Sequence, residues 1–181
     1  MGRKPTITRE TLLDAAEAIV RAEGPQGLTI DQLAKAAGIS KGGVQYSFAS
    51  KDALVKALVD RWTDRFDQML EPDRAASPAE FVSRYIAALR SSQNAMDAKM
   101  AGLMIAYIQN PENLSQTRAW YRSIFDRLAG DAPEAEAARV TFLAVEGLFL
   151  MQIIGLSEDG IPSSLLDDVE RVLSRLLDRP L

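Results

Sequence analysis

Polar side chains with the geometry to read DNA stand together in one short segment, 41–46. Gln45 can form paired hydrogen bonds with adenine, and Tyr46 can reach base edges or phosphates. Gly42 and Gly43 each weaken a helix by about 1 kcal/mol relative to alanine. A glycine nevertheless lets a backbone come close to another surface, such as a phosphate chain. The segment therefore predicts contact with duplex DNA.

Basic residues flank this segment on both sides. Lys41 opens one helix after the capping residue Ser40, and Lys51 opens the next helix. An ammonium group and free backbone amides at a helix start together favour a phosphate. Arg3 and Lys4 precede the first helix and can enter a minor groove as a flexible arm, although a solvated basic tail explains them equally well.

The chain contains neither cysteine nor histidine. Their absence excludes disulfides, thiolate metal sites and nucleophilic sites of the Ser-His-Asp or Cys-His kind. The sequence also shows no nucleotide fingerprint, phosphate loop or metal-ligand cluster. We therefore expect no catalytic residue, no metal and no cofactor. A helical enzyme that merely contains a DNA-binding motif is the weaker alternative.

Charge and hydropathy favour a cytoplasmic protein with one DNA-binding end. The first 61 residues carry nine Lys/Arg and seven Asp/Glu, a net charge of +2, whereas the remainder carries −6. A mildly basic end suits local contact with DNA. The first ten residues lack the apolar segment of a secretory signal. The longest apolar run, 140–156, is interrupted by Glu146 and Gln152 and is too short for a membrane span.

The periodicity of apolar residues predicts about nine helices and no sheet. Thr29 and Gln32 have the spacing of a capping box, which opens a short helix. Ala34, Gly38 and Val44 supply the small residue, the permissive turn residue and the apolar anchor of a helix-turn-helix. We expect a DNA-binding domain over residues 1–55 and a ligand-binding and dimerisation domain over residues 56–181.

This pattern resembles the DNA-binding region of the TetR family of bacterial repressors over residues 8–58. The resemblance rests on the segments 12–16, 29–34, 37–42 and 50–54, together with Gly24 and Phe48. It implies an all-α fold in which a three-helix domain is joined by a long helix to a larger helical domain. The sequence departs from the family pattern at Gly43, where threonine or serine is common, and at Gln45, where tyrosine is common. The operator sequence therefore cannot be predicted.

Ten residues form the predicted DNA-binding set, some from their chemistry and others because the resemblance implies a DNA contact there. They are Thr29, Ser40, Lys41, Gly42, Gly43, Gln45, Tyr46, Lys51, Arg3 and Lys4.

The helix predicted over 133–154 is apolar nearly all round, so it must be covered on several sides. Together with a final helix over 163–178, it predicts a two-fold four-helix interface between two copies of the chain. Ala144 and Gly147 would allow close approach, and the resemblance implies the same dimer. The alternative is that both helices belong to a monomer core. The predicted interface residues are Phe142, Val145, Phe149, Ile153, Leu166, Val169 and Leu173.

Aromatic and methionine residues lie between these two regions, and such side chains line adaptable apolar pockets but also fill ordinary cores. Glu146 interrupts the apolar helix, either as a polar contact for a ligand or the dimer, or as a neutralised or paired structural carboxylate. The predicted pocket residues are Trp62, Phe66, Tyr85, Leu89, Met100, Met104, Tyr107, Trp120, Tyr121, Phe125 and Glu146.

Together these features predict a homodimeric repressor that binds a double-stranded DNA operator and is released by a small apolar or aromatic molecule. Its two recognition helices must lie about 34 Å apart to enter successive major grooves. A ligand that prefers a different spacing would release the DNA. The alternative is a regulator without a small-molecule inducer, which is controlled by a partner protein or acts architecturally.

Overall fold

The computed structural model describes residues 7–70, 76–92, 98–154, 156 and 162–177. Over these residues the chain forms nine α-helices and no strand, which confirms the predicted all-α class. Arg3 and Lys4 lie outside the described residues. The helices are α1 (Arg9–Glu23), α2 (Ile30–Ala37), α3 (Lys41–Ser47), α4 (Lys51–Leu70), α5 (Pro78–Ser92), α6 (Ala98–Ile108), α7 (Pro111–Arg127), α8 (Pro133–Ile153) and α9 (Ser163–Leu177).

Capping residues define the first helices. The Thr8 hydroxyl accepts a hydrogen bond from the Thr11 amide at 3.1 Å, and the Thr29 hydroxyl accepts one from the Gln32 amide at 3.0 Å. Each bond satisfies an amide that the first turn of a helix leaves free. The Gln32 side chain donates to Glu23 Oε1 at 3.1 Å. Only the Thr29 half of the predicted capping box is therefore seen.

The first hydrophobic core holds α1, α2 and α3 together and also includes α6. Leu33, Val44 and Phe48 are buried beneath the helix-turn-helix. Met100 and Leu103 of α6 pack into the same core. The three N-terminal helices thus share their core with a helix from the C-terminal part of the chain.

Polar contacts also attach α6 to the end of α1. The Lys99 ammonium donates to the backbone carbonyls of Arg21 and Ala22 at 3.0 and 2.6 Å. These carbonyls lie in the last turn of α1, where backbone acceptors lack helical partners. A Cβ built on Gly102 would lie 3.5 Å from the Pro25 ring, so α6 passes close to the turn after α1.

Arg61 of α4 joins α4 to α1. It is buried, and its guanidinium lies 2.6 Å from Asp14 Oδ1 and also pairs with Glu17. Glu17 accepts further hydrogen bonds from Arg21 at 2.9 Å and from the Trp62 indole at 3.4 Å. α4 then continues to Phe66, which packs against the second hydrophobic core, and to Leu70, which is buried in that core. The predicted domain boundary at residue 55 falls within this helix.

The second hydrophobic core is built from α5, α7, α8, α9 and the end of α4. One face of α8 supplies Ala138, Phe142 and Val145 to this core, and α9 supplies Leu166 and Leu173. None of the helices within the described ranges combines the length and apolar character needed to cross a bilayer.

Four of the predicted dimer-interface residues lie in the interior of the chain. Phe142, Val145, Leu166 and Leu173 are buried in the chain's own second core, so they have no surface left to bury against a partner. Phe149 and Val169 are partly buried, and the side chain of Ile153 is not among those described. Both helices nevertheless carry a second, exposed apolar face: Val140, Leu143, Leu150, Met151 and Ile154 on α8, and Leu165, Val172 and Leu176 on α9.

Candidate DNA-binding face and aromatic cluster

Helix α3 is fixed by a tight turn before it and by its own apolar side. Gly38 ends α2 with φ = +66°, a left-handed conformation that glycine adopts without strain. The Ser40 hydroxyl accepts from the Gly43 amide at 3.2 Å and caps α3. Val44 is completely buried, so it anchors the helix as the sequence predicts.

The opposite side of α3 is open to solvent. Gln45 is exposed, and Tyr46 is 95% exposed, which no packing role explains. A Cβ on Gly42 would meet no atom closer than Ser40 Oγ at 3.9 Å, whereas a Cβ on Gly43 would lie only 3.2 Å from Ile39 Cδ1. Packing against Ile39 therefore accounts in part for Gly43, but nothing within the described chain requires a glycine at 42.

Four further residues of the predicted set surround this face and are exposed: Thr29, Ser40, Lys41 and Lys51. The Lys51 ammonium donates to the Pro25 carbonyl at 3.3 Å. We call the exposed residues Thr29, Ser40, Lys41, Gly42, Gly43, Gln45, Tyr46 and Lys51 the α3 face.

Asp31 is a member of this surface that the sequence interpretation missed. Its carboxylate lies 3.0 Å from the Lys41 ammonium, and both side chains are more than half exposed. The pair joins α2 to α3 across the turn, a spacing of ten residues that no helical periodicity indicates. Asp31 therefore offsets part of the positive charge of Lys41.

A cluster of aromatic rings lies at the second core. Tyr85 packs edge to face on Phe66 at 5.2 Å and on Phe142 at 5.1 Å between ring centroids. Trp120 packs edge to face on Tyr121 at 5.0 Å. The Trp120 indole also donates to Asp67 Oδ1 at 2.9 Å. We call Phe66, Tyr85, Trp120, Tyr121, Phe125 and Phe142 the aromatic cluster.

Glu146 lies among these rings on α8. One of its oxygens accepts from the Tyr85 hydroxyl and the other from the Tyr121 hydroxyl. Burial raises the pKa of Glu146 above its ordinary value, and the two tyrosine hydrogen bonds oppose this only in part. Burial, and then the charge of Glu146, raise the pKa of both tyrosines, so both hydroxyls stay protonated and act as donors.

Family models match both parts of the chain. The model for the tetracyclin repressor-like C-terminal domain matches residues 79–178, and the model for bacterial regulatory proteins of the tetR family matches residues 12–58. The chain belongs to the TetR family. It is therefore a DNA-binding transcriptional regulator, and this family is not one of enzymes.

One curated relative of this TetR-family regulator is an uncharacterized HTH-type transcriptional regulator from Xanthobacter autotrophicus. The two are 41% identical over 64 residues, which make up 35% of this chain and 32% of the relative. The match thus spans about a third of the relative's length.

Solved structures share the fold over nearly the whole chain. A transcriptional regulator from Rhodococcus sp. Rha1 is 23% identical, with 94% of this chain and 96% of that chain covered at a TM-score of 0.69. The multidrug binding protein EbrR, complexed with malachite green, is 21% identical, with 94% and 98% covered at a TM-score of 0.69. A TetR variant from Acinetobacter baumannii AYE, in complex with minocycline, is 17% identical, with 96% and 98% covered at a TM-score of 0.59.

The residues predicted to line one pocket of this TetR-family protein divide between the two hydrophobic cores. Met100 and Tyr107 belong to the first core, and Trp62 and Met104 pack against it. The Tyr107 hydroxyl, for example, is hydrogen-bonded to Gln116 at 3.1 Å. The remaining predicted pocket residues lie around the second core: Phe66, Tyr85, Leu89, Trp120, Tyr121, Phe125 and Glu146.

A cleft lies between the N-terminal part of the chain and the segment formed by α6 and the start of α7. It has a volume of about 220 Å³. Pro25, Lys51 and Val55 line it on one side, and Tyr107 and Asn113 on the other. Sequence periodicity gives no signal for such a cleft, because its walls come from distant parts of the chain.

Proposed function

We propose that this regulator binds operator DNA as a homodimer through the α3 face and that a small apolar or aromatic molecule releases it. The observation that carries the proposal is the division of α3 into two sides. Val44 is buried and fixes the helix, while Tyr46 is 95% exposed beside Gln45. A large aromatic side chain that is exposed to solvent on the outer side of a helix-turn-helix indicates a surface that binds a partner.

The chemistry of the α3 face suits duplex DNA. Gln45 supplies the amide that pairs with adenine in a major groove. Lys41 and Lys51 lie at the starts of α3 and α4, where their ammonium groups reinforce the free amides of the first turn toward a phosphate. Gly42 leaves the backbone open to close approach, because no atom of the described chain fills its Cβ position.

The exposed apolar residues of α8 and α9 support a homodimer. Leu143, Gly147 and Leu150 of α8 and Ile154 directly after it recur every three or four residues and form one exposed stripe. A Cβ at Gly147 would meet no atom within 4 Å, so a partner helix can approach closely there. An exposed stripe of this kind is the seam of a helix bundle, and a second copy would complete it with two-fold symmetry.

Two observations support release by a small molecule. EbrR and the Acinetobacter baumannii TetR variant share this fold and are complexed with malachite green and minocycline. In this chain the aromatic cluster extends from the buried Tyr85 to the partly exposed Trp120 and Tyr121. The carboxylate of Glu146 lies among its rings. Apolar surroundings with a few convergent polar groups are typical of ligand sites.

α4 provides a route from the ligand site to DNA. It begins at Lys51 beside the α3 face and reaches Phe66 and Asp67 at the aromatic cluster. At 1.5 Å per residue this helix is about 30 Å long. A ligand that displaces Phe66, or breaks the bond from Trp120 to Asp67, would tilt α4 and so change the position of the DNA-binding helices.

The DNA-binding part is tested by selecting bound sequences from genomic fragments and measuring affinity for the selected operator. We expect the double variant Lys41→Ala, Tyr46→Ala to lose binding by about a hundredfold, as for a phosphate contact and a base contact together. Its melting temperature and oligomeric state should be unchanged. Arg122→Ala, an exposed charge on α7, is the control. Full affinity in the double variant would overturn the proposal.

The inducer part is tested by screening compounds for release of that operator and for a rise in melting temperature. A binding molecule that prefers the DNA-free spacing must do both. If no compound changes operator binding or the melting temperature, while a partner protein releases the operator, the protein is a regulator without a small-molecule inducer.

A further inference from the structure

The carboxylate of Glu146 lies against phenol groups instead of a cation. Its two oxygens accept from the hydroxyls of Tyr85 and Tyr121. Within the described residues, no lysine or arginine is paired with it or counted among the causes that shift its pKa. A carboxylate offers about four acceptor positions. Glu146 therefore has capacity and charge for another partner.

Keeping this charge inside the fold is unfavourable. A partly buried carboxylate without a counter-ion loses hydration that two neutral donors restore only in part. The raised pKa of Glu146 reflects that loss. A glutamine would have the same shape and could bond to both tyrosines without the charge. A charged group retained under these conditions is typical of a functional site.

Several aromatic rings lie around Glu146. The face of an aromatic ring is the negative end of its quadrupole and attracts cations. Tyr85 and Tyr121 hold the carboxylate, and both pack on Phe142, with centroids 5.1 and 6.4 Å away. The Trp120 indole binds Asp67, whose charge also acts on Tyr85. Two carboxylates and several aromatic rings thus lie in one region.

We propose that the ligand site takes a lipophilic organic cation, with its positive charge against Glu146 and its apolar groups among the rings of the aromatic cluster. This inference rests on the proposed function, because it names the ligand class of the same site. Tyr85 and Tyr121 keep their bonds to the carboxylate and hold it in place. Phe125 is 41% exposed and Trp120 is partly exposed, so the ligand enters by displacing rings at the surface.

A pair of ions with the same shape and opposite charge tests this ligand class in the unmodified protein. Tetraphenylphosphonium is the cation and tetraphenylborate the anion, and binding is measured by calorimetry at one pH and ionic strength. We expect the cation to bind at least about tenfold more tightly than the anion, as one uncompensated charge in a partly buried site implies. Equal binding, preference for the anion, or no cation binding would overturn the proposal.

Two matched substitutions on α8 test whether the charge of Glu146 causes the preference for the cation. Glu146→Gln should reduce the affinity for tetraphenylphosphonium by about tenfold and raise that for tetraphenylborate. Glu136→Gln, which removes an exposed charge from the same helix, should leave both affinities unchanged. Circular dichroism checks that both variants fold. If both substitutions reduce the affinity for tetraphenylphosphonium equally, the preference for the cation arises from the overall charge of the protein and the proposed site is wrong.

Release of the operator separates this inference from the proposed function. If a neutral compound releases DNA with equal potency from the wild type and Glu146→Gln, the ligand class is wrong while the inducible repressor stands. If tetraphenylphosphonium binds in a Glu146-dependent way but never releases DNA, the site is supported and the release mechanism is wrong.

Discussion

The α3 face and the aromatic cluster place their polar groups in opposite ways. On α3 the polar side chains lie outside an apolar core, and Val44 beneath them is fully buried. In the aromatic cluster the carboxylate of Glu146 lies among rings that belong to or contact the second core. A surface site can change without disturbing the fold, whereas a site inside a core cannot. Function and stability are therefore separable in the first region and coupled in the second.

The two faces of α8 give the test with the largest expected effect. Leu150→Glu places a charge in the exposed apolar stripe, and we expect it to convert the proposed dimer to a monomer and to abolish tight operator binding. Burying an unpaired carboxylate in an interface costs several kcal/mol. Analytical ultracentrifugation and DNA titration measure both effects. Glu136→Gln is the control; a Leu150→Glu protein that remains dimeric would show that the stripe is not the interface.

Two substitutions on α3 sharpen the claim that stability and DNA binding are separable there. Val44→Ala should lower the free energy of unfolding by about 2 kcal/mol, because it removes buried methyl groups. Gly42→Ala should raise it by up to about 1 kcal/mol through better helix propensity, yet weaken DNA binding because its methyl group obstructs the backbone approach. Chemical denaturation and operator titration separate the two. A Gly42→Ala protein with unchanged affinity would show that the DNA does not approach this backbone.

Glu17 and Glu146 should respond to pH with opposite signs. Burial tends to raise the pKa of Glu17, but hydrogen bonds from Arg21 and Trp62 and the charge of Arg61 together lower it. Its stabilisation is thus present above the ordinary glutamate range and is lost as the pH falls through the lowered pKa. The pKa of Glu146 is raised by burial, so its ionisation destabilises the fold as the pH rises above the ordinary range.

Thermal melts of two glutamine variants measure this contrast. At neutral pH, Glu17→Gln should lower the melting temperature and Glu146→Gln should raise it, and both differences should shrink in acid. Equal signs at neutral pH would contradict the proposed difference between an ion-paired carboxylate and one held only by phenols.

The smallest expected effect concerns the pair of Asp31 and Lys41. Asp31→Asn frees the Lys41 ammonium for a phosphate, and we expect operator affinity to rise a few-fold. The slope of log affinity against log salt should steepen by up to about 0.9, the value for one additional phosphate contact. Asp52→Asn, an exposed carboxylate at the start of α4, is the matched control. An unchanged slope would mean that Lys41 does not contact phosphate.

Local signals in the sequence predicted most of the fold and the α3 face. Gly38, Ser40 and Val44 act within a few residues of themselves, and their roles follow from cap and turn chemistry. The placement of the α8 side chains could not be predicted in this way. Because α8 is apolar on two sides, periodicity did not distinguish the side that faces the core, with Phe142, from the side that carries Leu143.

Long-range contacts account for the other placements that the sequence did not predict. Met100 and Tyr107 joined the first core because α6 packs against α1 and α4, a tertiary arrangement with no signature in the helix itself. The hydrogen bonds that Tyr85 and Tyr121 donate to Glu146 join residues 61 and 25 positions apart in the sequence. Sequence reasoning identified each of these residues as a candidate but could not show which of them meet.

The hydrogen bonds from Lys99 to the end of α1 have a consequence for which substitutions this contact tolerates. Its acceptors are main-chain carbonyls, which every amino acid possesses. Residues 21 and 22 can therefore be exchanged without removing either bond, while a change at position 99 removes both at once. At this contact between α1 and α6, sequence changes are therefore restricted at position 99 more than at positions 21 and 22.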